Sequence, residues 1–252
     1  MTIQELVPPK RALFIAAHPD DIEFAAAGTA AKWVGAGTRV GYVLVTSGDV
    51  GSSVPGITHA EVARIREAEQ RDAARVIGMD EADVVFLGYR DGQVEPTLAL
   101  RCDLAREIRR FKPDIVVCFD PTRWFVGRGY VNHPDHRAVA QAALDAAAHA
   151  AAWSLGFPEL LQQGFEPHAV QEIWVTFAAR PDTWVDIADT LDLKIEALRQ
   201  HGSQFPPAQV PADLLRQWAI ECGKPVGLAY AEAFRRIVLA VGLTVEGMAE
   251  GR

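Results

Sequence analysis

The chain has 252 residues, with 33 acidic against 25 basic side chains, a formal net charge of -8, and 49% hydrophobic residues. That balance suits an ordinary soluble globular protein and speaks against sequence-independent nucleic-acid binding, which needs a basic face. No apolar run approaches the roughly 20 residues of a membrane span, and Met1–Lys10 lacks a basic-then-apolar signal pattern, so a cytoplasmic protein is expected.

The first strand is expected at Ala12–Ala17, an apolar run that ends in His18-Pro19-Asp20-Asp21. A helix follows from about Asp21 to Val34 and stops at Gly35 and Gly37. Strand two is Arg39–Thr46. After a loop from Ser47 to Gly56, Thr58 and Glu61 form a capping box that opens a helix to Ile77. Strand three, Val84–Leu87, leads into Gly88-Tyr89-Arg90-Asp91-Gly92. A helix over Leu98–Phe111 and a strand over Ile115–Phe119 come next. This βαβαβαβ order predicts an α/β fold: a Rossmann-like, doubly wound, mainly parallel sheet with helices on both faces.

Beyond strand four lies a long loop, Asp120–Asn132. His133-Pro134-Asp135-His136 then opens an alanine-rich helix to about Ala152, with proline well placed in the first turn. A strand is expected at Glu172–Phe177, a short strand or turn at Trp184–Ile187, and a helix at Thr190–His201. Pro206, Pro207 and Pro211 mark a surface loop, and one or two helices fill Ala212–Val241. No domain boundary is visible. The chain reads as a single domain, 1–252, with a C-terminal helical segment of about 188–241 and a fraying tail, 242–252. Cys102, Cys118 and Cys222 form no CxxC pair and read as small hydrophobes, not as a thiolate zinc cluster.

Two clusters carry chemistry-bearing side chains, and each directly follows a strand. In open α/β sheets the carboxyl ends of the strands are where ligands sit. Residues three apart on a first helical turn share a face, and both His18/Asp21 and His133/His136 have that spacing. Two histidines and one carboxylate can hold a divalent metal and leave a coordination position open. The competing reading makes Asp20, Asp21 and Asp135 helix caps and the histidines structural. Capping alone leaves the extra acid of the first turn without a role.

These motifs resemble the PIG-L/LmbE-type zinc-dependent N-acetylglucosamine deacetylase family. The resemblance rests on Ala17-His18-Pro19-Asp20-Asp21 and on His133-Pro134-Asp135-His136. It is supported by Thr46-Ser47-Gly48-Asp49-Val50-Gly51, Arg66…Glu69, Leu87-Gly88-Tyr89-Arg90-Asp91-Gly92 and Leu198…His201-Gly202-Ser203-Gln204. Asp49 stands where the family often has Glu. The resemblance implies that His18, Asp21 and His136 bind zinc and that Asp20 is the general base for a zinc-activated water. It gives His133 to the oxyanion or the leaving amine, Asp135 to the orientation of His133, and Arg66, Asp91 and His201 to the substrate. It implies a small-molecule N-acetyl amino sugar as substrate and adds that family members often form trimers or hexamers; iron, cobalt or manganese also suit a site of two histidines and one carboxylate.

His201 reads equally well as a helix C-terminal cap beside Gly202, and Trp124, Phe125 and Tyr130 either stack on a sugar or anchor their loop. Other readings are an amidase on a related thiol–sugar conjugate and a non-catalytic metal- or nucleotide-binding Rossmann-like protein. The nucleotide reading lacks GxGxxG after strand one and GxxxxGK[ST] anywhere. A serine hydrolase is unsupported, as GxSxG is absent.

Overall fold

Strand β1 (Arg11–Ala16) buries both of its faces. Ala12, Phe14 and Ala16 enter one core; Leu13 and Ile15 enter the other. Such a strand needs cover on both sides, which helical crossovers between parallel strands supply. The computed structural model describes residues 7–126, 129–206 and 209–239. After β1 come α1 (Asp21–Ala25), α2 (Ala27–Gly35), β2 (Arg39–Thr46), α3 (His59–Val76), β3 (Val84–Tyr89), α4 (Leu98–Phe111) and β4 (Ile115–Phe119). A hairpin of β5 (Phe125–Val126) and β6 (Tyr130–Val131) precedes α5 (Pro134–Asp145) and α6 (Pro158–Gln162). The chain closes with β7 (Glu172–Thr176), β8 (Thr183–Asp186), α7 (Leu191–Arg199), α8 (Ala212–Gly223) and β9 (Ala231–Val238).

The seven-stranded sheet has the order β3-β2-β1-β4-β7-β9-β8. Its first five strands run parallel, and β9 is antiparallel to both β7 and β8. Helices α1, α2, α3, α7 and α8 cover one face, and α4, α5 and α6 cover the other. No helix among the described residues is long and apolar enough to cross a membrane.

Three expectations need correction. The helix expected over Asp21–Val34 is two helices, broken at Ala26, whose φ is -154 and ψ 15. The cause is far away in sequence. The buried Glu232 carboxylate accepts hydrogen bonds from Gly28 N (3.1 Å) and Thr29 N (2.7 Å), at the start of α2. A carboxylate there is favoured by the helix dipole, and Lys194 Nζ balances it at 2.5 Å. Second, the C-terminal segment is not all helical, because Ala231–Val238 is a strand. Its charged residues disguise it: Glu232 caps α2, and Arg236 pairs with Glu172 on neighbouring β7. Third, the loop from Asp120 contains the β5–β6 hairpin. Pro207, the end of the expected C-terminal helices and the tail 242–252 lie outside the described residues.

At the amino end of the sheet, Gly41 on β2 lets Phe111 of α4 pack against the backbone. A Cβ on Gly41 would stand 2.6 Å from the Phe111 ring and 3.1 Å from Leu13. Phe111 is 1% exposed and has nowhere to move. Overpacking of this kind costs roughly 1–3 kcal/mol. Gly41→Ala is expected to lower the free energy of unfolding by about that amount in chemical denaturation. An unchanged midpoint would show that the contact is not tight.

Candidate metal centre

The chain leaves β1 through a turn held by its own acid. Asp21 Oδ2 accepts hydrogen bonds from His18 N (2.8 Å) and Ala17 N (3.1 Å). Asp20 adopts the left-handed φ of 90, rare for a residue with a side chain, and its carboxylate makes no cap bond to α1. Backbone strain of this sort costs about 1–3 kcal/mol and persists only where the surroundings enforce it. Here Gln70 Oε1 accepts from Asp20 N (3.1 Å), and Arg66 Nη2 donates to Pro19 O (2.7 Å) and to the Asp20 carboxylate (3.2 Å).

The second motif opens α5. His133 is its N-cap, accepting on Nδ1 from Asp135 N (3.2 Å), and Pro134 occupies the first turn. Since β4 lies beside β1, the two motifs meet. Ring centroids of His18 and His136 are 5.2 Å apart, those of His18 and His133 are 4.7 Å apart, and those of His133 and His136 are 5.3 Å apart. Asp21 sits within reach of two of these rings: Oδ1 is 3.0 Å from His136 Nε2, and Oδ2 is 3.4 Å from His18 Nδ1. On its other side His18 Nε2 faces Asp91 Oδ1 at 3.1 Å and Asp135 Oδ2 at 3.2 Å. Two donor triads therefore lie mutually within 4.8 Å, His18–His133–His136 and His18–Asp91–Asp135.

The electrostatics show a site rich in buried negative charge. Burial would lower the pKa of His18, but Asp21, Asp135 and Asp91 overcome this and raise it to about 12. Burial would raise Asp21, yet His136 and His18 hold it well below the ordinary carboxylate value. Burial pushes Asp20 up from 3.8 to about 7, against the pull of Arg66. His133 is lowered, by burial and then by the neighbouring His18 and His136. Carboxylates placed this close around buried imidazoles form a negatively charged donor set that a divalent cation suits, with the imidazoles binding in their neutral form. The nitrogen and oxygen donor set fits zinc and related transition metals.

Several expected substrate contacts stand elsewhere. Arg66 is 4% exposed, and its guanidinium is occupied by Gly48 O (2.9 Å), Pro19 O and Asp20. It pairs with Asp20, and not with Glu69, which binds Ser203. Asp91 faces His18 and accepts from Val50 N (3.1 Å). His201 is fully buried, so it offers no surface to a sugar; its Nε2 stands 3.4 Å from Glu23 Oε2. The Asp135 carboxylate accepts from Gly92 N (2.7 Å) and Val94 N (3.2 Å) and reaches His18. It does not orient the His133 ring, which is bound by the Asp135 backbone.

Sequence reasoning missed Gln70, Glu23 and Asn132. Gln70 links Asp20 N to Glu23 Oε1, the latter through Nε2 at 2.9 Å. It lies four residues after Arg66 on α3, the spacing of one helix face, and that signal was available. Asn132 Oδ1 stands 3.2 Å from His136 Nδ1 and sets the orientation of that ring. Asp49, left without a role, faces His59 (3.0 Å) and accepts from Asp91 N (3.2 Å), holding the loop that carries Asp91.

The chain is similar in sequence and in fold to several known proteins. The PIG-L family, described as GlcNAc-PI de-N-acetylase, matches residues 13–147. A diacetylchitobiose deacetylase from Thermococcus kodakarensis is 31% identical over 228 residues, 90% of this chain and 82% of that protein. The solved N,N'-diacetylchitobiose deacetylase from Pyrococcus horikoshii superposes with a TM-score of 0.83 at 31% identity, covering 91% of this chain and 84% of that one. GalB, the 4-carboxy-2-hydroxymuconate hydratase of Pseudomonas putida, shares the fold with a TM-score of 0.74 at 22% identity, over 93% of this chain and 99% of that one.

Arg66→Ala would leave two carbonyls and a buried carboxylate without their donor. Breaking a buried ion pair of this type costs roughly 3–5 kcal/mol. Arg66→Lys is not expected to restore the loss, since an ammonium cannot span three acceptors as a planar fork does. Equilibrium denaturation checks both; a loss below about 1 kcal/mol for the alanine variant would remove Arg66 from the framework of the turn.

Proposed function

The chain belongs to the PIG-L family, and on that premise we propose that it is a zinc-dependent deacetylase. Its substrate is an N-acetylglucosaminyl-type amino sugar, its setting the cytoplasm, and one domain spanning the chain carries the site. The observation that supports this most is the meeting of the two proline-containing motifs at one buried cluster, where His18, Asp21 and His136 approach one another.

His18, Asp21 and His136 are the residues that hold the metal. When bound, zinc supplies Lewis acidity at the amide carbonyl and brings the pKa of the attacking water to roughly 7. Asp20 takes the proton of that water. Its elevated carboxyl suits the task, since a general base works best with a pKa near the operating pH. Arg66 and Gln70 keep Asp20 in its strained conformation, so the carboxylate is aimed before substrate arrives. His133, the half-buried N-cap of α5, stabilises charge on the carbonyl oxygen or protonates the departing amine. Asp135 and Asp91 fix the His18 ring. The carbonyl carbon gains the water oxygen, the C–N bond breaks, and the nitrogen leaves as the protonated amine with acetate as co-product. Asp91 also remains the candidate for hydroxyl recognition among the loop acids; Arg66 and His201, enclosed behind Asp20, act on the substrate only through that turn.

Asp20→Asn is expected to retain the metal content of the wild type and to lose roughly 10²–10⁴-fold in turnover. Near-normal acetate release by this variant from an N-acetylglucosamine derivative would remove Asp20 from the chemistry. Because Asp20 acts when ionised, kcat/KM should fall as pH drops from about 7 toward 3.8. A profile flat across that window contradicts the assignment. Metal-loaded protein that releases no acetate from any N-acetylglucosaminyl compound contradicts the deacetylase reading itself.

A further inference from the structure

Beside the metal cluster the protein opens a chamber of about 420 Å³, within the range of roughly 300–1,000 Å³ typical of small-molecule sites. Asp21 and His136 form part of its wall, so it is continuous with the candidate reaction centre. The remaining wall is largely aromatic: Phe24, Phe119, Tyr130, Phe177 and Trp218, with Val126 from the hairpin. These side chains come from five separated parts of the chain and pack on one another. Phe119 stacks on Phe177 at 6.1 Å, and Phe177 meets Trp218 edge-on at 6.1 Å.

Two features distinguish this wall from ordinary core packing. Phe177 has a φ of 48, the left-handed region that a bulky side chain rarely adopts, and the residue is still 42% exposed. Trp218 is 40% exposed. Strained backbone and open aromatic surface are costly unless something uses them. Several polar groups of the wall, by contrast, are already engaged. Asp120 accepts from Thr122 N, Thr122 Oγ1 and Ala179 N at 2.8, 2.6 and 3.0 Å. Asn132 donates to Arg123 O (2.8 Å) and faces His136, while Arg123 donates to Phe177 O (2.9 Å). A second sugar ring seated here would lose its water and find few partners for its hydroxyls, a costly exchange.

We propose that this chamber binds an apolar substituent of the substrate, so that the preferred substrate is an amino-sugar amide carrying an alkyl or aryl group, and not a plain oligosaccharide. The inference rests on the deacetylase reading. The same apolar chemistry arises from an aglycone on the anomeric carbon or from an N-acyl chain longer than acetyl, and the test separates the two.

Formation of free amine is measured with zinc-loaded protein on N-acetylglucosamine, N,N'-diacetylchitobiose, octyl N-acetylglucosaminide and N-octanoylglucosamine. One octyl compound should exceed both unsubstituted sugars in kcat/KM by about tenfold or more, through a lower KM. A gain for the glycoside identifies the aglycone; a gain for the octanoyl amide identifies the acyl chain. In Trp218→Ala and Phe177→Ala the octyl-to-unsubstituted ratio should fall toward one. Turnover of diacetylchitobiose equal to or better than both octyl compounds overturns this inference and leaves the deacetylase reading standing. If no compound yields amine, that reading fails, and calorimetric titration with octyl N-acetylglucosaminide decides the chamber alone. Saturable binding weakened by Trp218→Ala supports it, and absence of binding overturns it.

Discussion

Strands β1 and β4 run side by side and parallel, with Ala12 opposite Ile115, Leu13 opposite Val116 and Phe14 opposite Val117. From β1 the chain turns toward β2 on one side; beyond β4 the sheet continues through β7 on the other. At such a switch point the connections diverge and leave a crevice at the carboxyl ends of the strands. Both histidine motifs emerge there. A register that paired β1 with another neighbour would separate the motifs, and the His18–Asp21–His136 set draws on both of them. The fold therefore acts on function through one strand pairing.

Within that crevice the problem is charge. Asp21, Asp91 and Asp135 gather around His18 in a space that is largely closed to solvent, with Asp20 beside them in the turn. Buried carboxylates are tolerated when they are hydrogen-bonded and compensated. Asp135 and Asp21 take backbone N–H groups, and Arg66 answers Asp20 from behind. Behind Asp20 stand Gln70, Glu23 and His201, a buried polar layer that joins α1, α3 and the segment after α7. These residues touch no open surface. Their arrangement holds the strained turn at Asp20, which links helix packing to the aim of a single carboxylate.

The parallel half of the fold was legible because its signals are local. The apolar runs of β1, β2 and β4, the Thr58–Glu61 capping box and the proline of α5 each announce themselves within a few residues. The break at Ala26 and the strand Ala231–Val238 were not legible, because the Glu232 carboxylate meets the start of α2 about two hundred residues away in sequence and the strand takes its partners from β7 and β8. The proximity of the two motifs could be inferred from strand order. The partners of individual side chains could not. Arg66 at its position on α3 is compatible with solvent, substrate or interior, and only the approach of Gly48 and Pro19 decides among them. His201 reads from sequence as a substrate contact or as a cap at the end of α7, and it is fully enclosed.

The central claim is that the crevice between β1 and β4 binds one divalent cation through His18, Asp21 and His136. Anomalous scattering from crystals of the zinc-loaded protein tests it most directly. The account predicts one peak per chain, about 2.0–2.2 Å from a nitrogen of His18, a nitrogen of His136 and an oxygen of Asp21. A peak lodged instead between His18, Asp91 and Asp135, or no peak in the crevice at all, would contradict it.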